Sequence, residues 1–350
     1  MNNNVPLLSV RNLAVSFFLD EGVVKSVEDV SFDVRPGEVV GIVGESGCGK
    51  SVTMKAILRI VETPGKIVAG KVFLSSRDDP QKILDITAMK ETGNEIRNIR
   101  GGEIALVPQE PMTAFSPVHT IGNQIEEAIL LHQKVSKEQA RKICVNSLVT
   151  VGMSMPEERV DEYSWQLSGG LRQRAIIAMA IAGNPRLLIA DEPTTAIDVT
   201  TQAQILKLLK SLQKDRGMSI LFITHDLGVI AQITDFVVVM YLGRVMEKGP
   251  VDDIFHDTKH PYTQALLESI PSAQLDVKAK LPTISGSIPH PFNKPKGCPF
   301  HPRCKKMIKG LCDTQIPTET KMSDKHSVYC FLYDQHSENE KKEQKDNGQN

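Results

Sequence analysis

Residues 38–61 read EVVGIVGESGCGKSVTMKAILRIV. A short apolar run, EVVGIVG, leads into GESGCGKS and then into the helix-spaced SVTMKAILRIV, so the local order is strand, glycine loop, helix. The loop matches G-x-x-x-x-G-K-S with Gly44, Gly49, Lys50 and Ser51 in register. In that context the backbone N–H groups of the loop wrap phosphate, Lys50 reaches β and γ oxygens, and the Ser51 hydroxyl ligates Mg2+. Glu45, Ser46, Gly47 and Cys48 fill the free positions and share the phosphate-facing backbone, with Cys48 most simply a small space-filler. A chance glycine turn would not carry this strand before it and this helix after it.

The rest of the chain is read outward from that loop. Its 350 residues and 41% hydrophobic content are enough to fill a substantial core. A net charge of -1 gives no electrostatic footprint for nucleic acid, which is therefore not an expected partner. No stretch approaches the roughly 18 apolar residues of a membrane span, and MNNNVPLLSVRN lacks the pattern of a secretory leader. A cytosolic protein is expected, with any membrane role reached through a partner.

Upstream, LLSVRNLAVSFF and VVKSVEDVSFDV alternate with the strand period and RPGE reads as a turn, which predicts a small antiparallel sheet. Downstream, EIALVP, RLLIAD, SILFIT and FVVVMYLG are short buried-strand candidates that point to a mostly parallel α/β core. Residues 121–182 hold no convincing strand, and IGNQIEEAILLH and KEQARKICVNSLVTVG carry helical spacing, so a helical subdomain is expected to be inserted there. TQAQILKLLKSLQKDRG sets Ile205, Leu208, Leu209 and Leu212 on one helical face and stops at Gly217.

Further motifs add chemistry. RLLIADEP ends a buried run in Asp191 and Glu192: the first carboxylate can hold a metal beside the loop, and the second can orient and polarise an attacking water. His225 in THDLGVI and Gln109 in ALVPQEP also end strands, where each alone could be no more than a cap. LSGGLRQR, residues 167–174, is a second glycine-bearing helix start suited to an anion.

Taken together, the phosphate loop, Gln109, LSGG, LLIADEP, Asp198 and His225 resemble the ATP-binding cassette family in order and spacing, over roughly residues 7–250. The resemblance implies a P-loop NTPase of α/β class with a parallel-sheet core, an antiparallel β subdomain and an inserted helical subdomain. It also implies ATP and Mg2+, with Ser51, Gln109 and Asp191 on the metal. Glu192 and His225 resemble the catalytic glutamate and switch histidine, and Gln109 the lid glutamine coupled to the transport partner. Ser168, Gly169 and Gly170 look like the signature loop and Asp198 like the dimer-facing D-loop. Phe17, with Phe18 as the alternative, occupies the place of an aromatic that stacks on adenine. In this family two cassettes pack head to tail, so LSGGLRQR is expected to bind a neighbour's ATP. Leu171 departs from the commonest family glutamine and is taken as a branch marker.

The texture changes beyond about Phe255. HPYTQALLESIP, followed by CPFHPRC, resembles the C-terminal extension of dipeptide and oligopeptide importer ATP-binding subunits, and EPMTAFSPVHTIGNQI agrees with that branch. The expected organisation is an ATP-binding domain over 1–254 with its helical subdomain at about 110–184, a loop-rich cysteine module over 255–333, and a disordered tail over 334–350. Cys298, Cys304, Cys312 and Cys330 are spaced C-x5-C-x7-C-x17-C, four soft thiols that suit either [4Fe-4S] or tetrahedral Zn2+, and spacing alone does not choose. Ordinary unligated cysteines are the plain alternative. The resemblance implies the iron-sulfur cluster, with zinc second, in a clamping role.

The whole therefore resembles the ATPase subunit of a peptide importer on the cytoplasmic membrane face. A second ATPase subunit, identical or paralogous, two integral membrane permeases and an extracytoplasmic solute-binding protein are the implied partners. The same branch also handles nickel or oligosaccharides, and a soluble cassette ATPase outside transport is the competing class.

Overall fold

The computed structural model describes residues 5–110, 114–195, 197–270, 284 and 286–334. Two sheets form the frame. Strands β1 (Leu8–Leu19), β2 (Gly22–Val34), β4 (Gly65–Ser75) and β5 (Ile83–Asp85) make an antiparallel sheet in the order β2-β1-β4-β5. An eight-stranded sheet runs β11-β12-β10-β9-β3-β8-β7-β6. Its strands are β3 (Val39–Val43), β6 (Ile104–Val107), β7 (Leu187–Asp191), β8 (Ser219–Thr224), β9 (Phe236–Tyr241), β10 (Arg244–Pro250), β11 (Thr320–Lys321) and β12 (Ser327–Val328). The stretch from β9 to β6 is parallel, and β10, β12 and β11 join antiparallel.

The period of two explains the layering. Along β3, Val39 and Val43 face one apolar cluster while Val40 and Ile42 face the other, and β8 divides in the same way into Ile220 and Phe222 against Leu221 and Ile223. Every central strand is therefore apolar on both faces, as a parallel sheet covered on both sides requires. The antiparallel sheet and the helix after the loop cover one face. The last helix of the insert, together with the helices Val199–Arg216 and Leu227–Ile233, covers the other.

The helices are α1 (Lys50–Ile57), α2 (Asn94–Ile99), α3 (Ile121–His132), α4 (Lys137–Thr150), α5 (Pro156–Arg159), α6 (Gly169–Ala182), α7 (Val199–Arg216), α8 (Leu227–Ile233), α9 (Val251–His256) and α10 (Pro261–Glu268). The parallel core, the antiparallel subdomain and the helical insert expected from the sequence are all present. The α1 pattern, read through Val61, is cut short at Ile57. Arg59 takes φ 55°, and the Arg100 guanidinium donates to the carbonyls of Leu58 and Arg59, each at 2.7 Å, which satisfies the helix end that water or a further turn would otherwise serve. Helix α7 stops where expected, with Gly217 left-handed at its end, and buries Ile205, Leu208, Leu209 and Leu212.

The C-terminal residues are built onto this frame. β12 pairs with β10, and Cys298, Phe300, Cys312 and Phe331 share the apolar cluster of the helical insert. No helix among the described residues is long and apolar enough to cross a membrane. The tail beyond Asp334 and residues 111–113 of EPMTAFSPVHTIGNQI lie outside the described residues.

Candidate active site

The phosphate loop joins β3 to α1. Gly44 is pressed so closely on β9 that a Cβ would stand 2.1 Å from the Met240 carbonyl oxygen, and Gly49 has φ 100° with the Ser26 carbonyl 2.5 Å from an added Cβ. Glycine is required at both places by contact as well as by conformation. Cys48 is buried, its sulfur lies 3.9 Å from Lys50 Nζ, and burial pushes its thiol up. Its carbonyl accepts from Gly243 N at 2.9 Å, so the β9–β10 turn steadies the loop. Lys50 Nζ donates to the loop carbonyls of Gly44 at 2.7 Å and Glu45 at 3.2 Å.

Across from the loop, the Ser51 hydroxyl donates to Asp191 Oδ1 at 3.2 Å. Two hard oxygen donors, from the start of α1 and the end of β7, therefore converge on one point, which suits Mg2+. Burial, ahead of the neighbouring Glu192 charge, raises the Asp191 carboxyl.

Glu192 follows immediately, with φ 46°. That backbone turn lets its N–H donate to Ile223 O at 2.8 Å while the side chain swings into a ring of polar groups. Gln109 Nε2 donates to Oε2 at 3.1 Å, the Thr195 hydroxyl donates to the same oxygen at 3.0 Å, and His225 Nδ1 lies 3.1 Å from Oε1. Burial works to raise this carboxyl, but the hydrogen bonds from His225 and Thr195 and the His225 and Lys50 charges hold it below its ordinary value. Glu192 is thus a positioned carboxylate, ionised at neutral pH. The structure brings together Gln109, Glu192 and His225, which are 83 and 33 residues apart in pairs through Glu192. Thr195 belongs to this ring and was not singled out from sequence, because a threonine after DEP carries no signal of its own.

The second glycine start lies elsewhere on the surface. Ser168 caps α6 through its hydroxyl, which accepts from Leu171 N at 3.4 Å, and Asp198 caps α7 by accepting from Thr201 N at 2.9 Å. The two caps adjoin, since a Cβ on Gly170 would stand 2.8 Å from Thr201 Cγ2. Ser168 and Gly169 are exposed, and a Cβ on Gly169 would meet nothing within 4 Å.

Phe17 is half-buried at the far end of β1, where a Cβ on Gly65 would meet its ring at 2.7 Å, while Phe18 is exposed with Lys66 Nζ 5.8 Å from its ring centre. The thiols of Cys298, Cys304, Cys312 and Cys330 are free, and the first three each act electrostatically on Cys330, pushed up to about 12 chiefly by burial. Among the described residues, however, no group of three or more His, Cys, Asp or Glu side chains is arranged to hold a metal ion. The donor types fit a soft metal, but the arrangement does not present them as a closed set. Two further groups reach the loop from the C-terminal side: Tyr262 and Arg303, both on Glu45. The motifs containing them were visible in the sequence, but their contact with the loop spans more than two hundred residues and left no local signal.

Comparison with known proteins agrees with this geometry. A family model described as ABC transporter matches residues 27–195, and one described as oligopeptide/dipeptide transporter, C-terminal region, matches residues 246–312. The dipeptide transport ATP-binding protein DppD of Bacillus subtilis is 46% identical over 333 residues, covering 95% of this chain and 96% of its own. The oligopeptide transport ATP-binding protein OppD of the same organism is 46% identical, covering 93% of this chain and 88% of its own. Among solved structures, the dimeric ATP-binding cassette MJ0796 bound to ADP and Pi superposes with a TM-score of 0.61 at 26% identity, covering 70% of this chain and 98% of its own. With near-complete coverage at that identity, and with the loop and carboxylates assembled as described, this chain belongs to the ABC transporter family of ATP-binding proteins, in the branch that carries the oligopeptide/dipeptide C-terminal region.

Proposed function

We propose that this chain hydrolyses ATP as the energising subunit of an importer for dipeptides or oligopeptides, associated peripherally with the cytoplasmic face of the membrane. The observation that carries the reading is the ionised Glu192, held by Gln109, Thr195 and His225 next to the Ser51–Asp191 pair, in a chain bearing the importer extension. Backbone N–H groups of the loop from Ser46 onward bind the phosphates, and Lys50 exchanges its loop carbonyls for the β and γ oxygens. Ser51, Asp191 and Gln109 would hold Mg2+, which supplies charge neutralisation at those oxygens when bound. Glu192 orients the attacking water and accepts its proton, and His225 and Gln109 fix the carboxylate. Phe17 or Phe18 supplies a face for adenine.

The exposed Ser168–Gly169 tip, open to any incoming group, suits capping the nucleotide of a second cassette, as in the head-to-tail arrangement. Asp198 borders that same face. The helical insert exposes Val118 and Leu131, each at 72%, and Trp165 at 64%, apolar side chains open to the permeases that would receive solute from a binding protein. The four cysteines are proposed as soft ligands, iron-sulfur before zinc, on donor chemistry alone, and no step of ATP hydrolysis is routed through them. Oxygen-free purification with metal analysis and visible absorption tests this: a colourless protein without iron rejects the cluster.

The function is tested by copurification from solubilised membranes followed by reconstitution. ATP-dependent uptake of a labelled dipeptide or tripeptide is the expected result. Uptake of nickel or an oligosaccharide with no peptide transport changes the solute, and a protein that hydrolyses ATP but retains no membrane partner belongs outside transport.

A further inference from the structure

The C-terminal extension grips the phosphate loop directly. Arg303 Nη1 and Nη2 donate to the two carboxylate oxygens of Glu45 at 2.6 and 3.0 Å, a two-pronged ion pair on the second residue of the loop. The Arg303 side chain is only 5% exposed and the Glu45 side chain 21%. A planar guanidinium meeting both oxygens fixes the direction of the carboxylate as well as its distance, which an ammonium does not. Arg303 is itself aimed by Tyr241, whose hydroxyl accepts from Nη1 at 3.2 Å.

The backbone of the same residue is held from the same side. Glu45 N donates to the Tyr262 hydroxyl at 3.0 Å, and Tyr262 is fully buried against Tyr241 and Phe300. Lys294, also from the extension, donates to Leu242 O at 2.7 Å, beside the Gly243 N–H that holds Cys48 O. Both ends of the loop are thus braced by residues outside the nucleotide-binding motifs. The Glu45 carbonyl is one of the two that receive Lys50 Nζ, so the position of Glu45 sets where that ammonium rests.

We infer that Arg303 is a positioning residue for ATP binding: its ion pair with Glu45 holds the phosphate loop in its receptive shape, and nucleotide affinity depends on that grip. The inference rests on the proposed ATPase reading. The Arg303 guanidinium is engaged by Glu45 and Tyr241, so its loss weakens binding without removing a group from the reaction.

The test is a double-mutant cycle on the full-length protein, with equilibrium binding of MgATP and steady-state hydrolysis as readouts. Arg303→Ala and Glu45→Gln should each raise the ATP dissociation constant about ten-fold, in the range of ordinary coupling between sites, with KM rising in step, and in Arg303→Ala turnover at saturating ATP should change little. The double variant should lose no more than either single one. Arg303→Lys, which keeps the charge without the fork, should recover part of the affinity. Unchanged affinity in Arg303→Ala, or losses that add in the double variant, overturn the inference. Should Arg303→Ala not fold, Glu45→Gln keeps the side-chain shape and carries the test, and an unchanged dissociation constant there is equally fatal. A parent protein that binds no ATP would indict the functional reading instead.

Discussion

At the scale of single residues, the site turns on two side chains with opposite duties. In the proposed function Lys50 supplies positive charge to phosphate and Glu192 supplies a base, so their removal should separate binding from chemistry. Lys50→Ala is expected to abolish detectable ATP binding, and an unchanged affinity would contradict its role. Glu192→Gln keeps shape and hydrogen-bonding capacity at the carbonyl oxygen but cannot accept a proton. ATP binding should persist while turnover falls by about 10²–10⁴-fold, and near-normal hydrolysis would remove Glu192 from the chemistry. The pH profile follows from the same contacts. Against burial, which raises it, hydrogen bonds from His225 and Thr195 hold the Glu192 carboxyl below the ordinary glutamate value of 4.5, so the carboxylate is ionised above that pH. Its protonation limb in kcat/KM should therefore lie below 4.5, provided the fold survives there. A limb near neutrality that Glu192→Gln abolishes would show the carboxylate to be differently placed.

At the scale of elements, Ser168 separates a structural from a functional role. Its hydroxyl caps α6 through one exposed bond of 3.4 Å, so Ser168→Ala should cost no more than about 1 kcal/mol of stability. If the tip completes a neighbour's nucleotide site, ATP hydrolysis at concentrations that support dimers should nevertheless fall at least about ten-fold, on the scale of one lost charge-stabilising donor. Equal losses in melting temperature and activity, with no excess in activity, would reduce Ser168 to a cap. The elements also show what was legible in the chain. β3, β7, β8 and β9 were readable because both faces are buried, so each appears as an unbroken apolar run. β4 was not, because GKIVAGKVFLS is half-exposed along much of its length and is specified by pairing with β1 instead. β10 carries Glu247 and Lys248 and reads locally as a loop. The phosphate loop, Asp191 and Glu192 were legible because each motif is contiguous, and the catalytic ring could be assembled only through family order. The bracing of Glu45 by Tyr262 and Arg303 was invisible, being made wholly of distant contacts.

At the scale of the whole molecule, β10 is the seam between the cassette and its extension, and Glu247 is its central tie. The carboxylate is fully buried, accepts from Lys259 N at 2.7 Å, His260 N at 3.0 Å and Thr258 Oγ1 at 3.2 Å, and lies 2.9 Å from His326 Nε2. It thus joins the lead-in to α10 and the β11–β12 hairpin at one point. A buried charge survives only when so many donors serve it, and cutting such a pair on one side costs about 3–5 kcal/mol. Glu247→Ala is expected to destabilise by that order, with Glu247→Gln losing less because its carbonyl oxygen still accepts. Burial works to raise this carboxyl, yet the hydrogen bonds from His326 and from the Lys259 and His260 amides bring it below 4.5. A folded-state pKa below the unfolded one contributes stability above the unfolded value, and the contribution is lost as pH falls through the folded value. Urea denaturation should therefore show the parent losing its advantage over Glu247→Gln as pH drops below 4.5. Since Arg303 and Tyr262 lie on the same side of this seam as the segments Glu247 ties down, Glu247→Ala should also weaken MgATP binding at neutral pH. If the variant is destabilised but binds nucleotide as tightly as the parent, the seam serves folding alone and does not reach the phosphate loop.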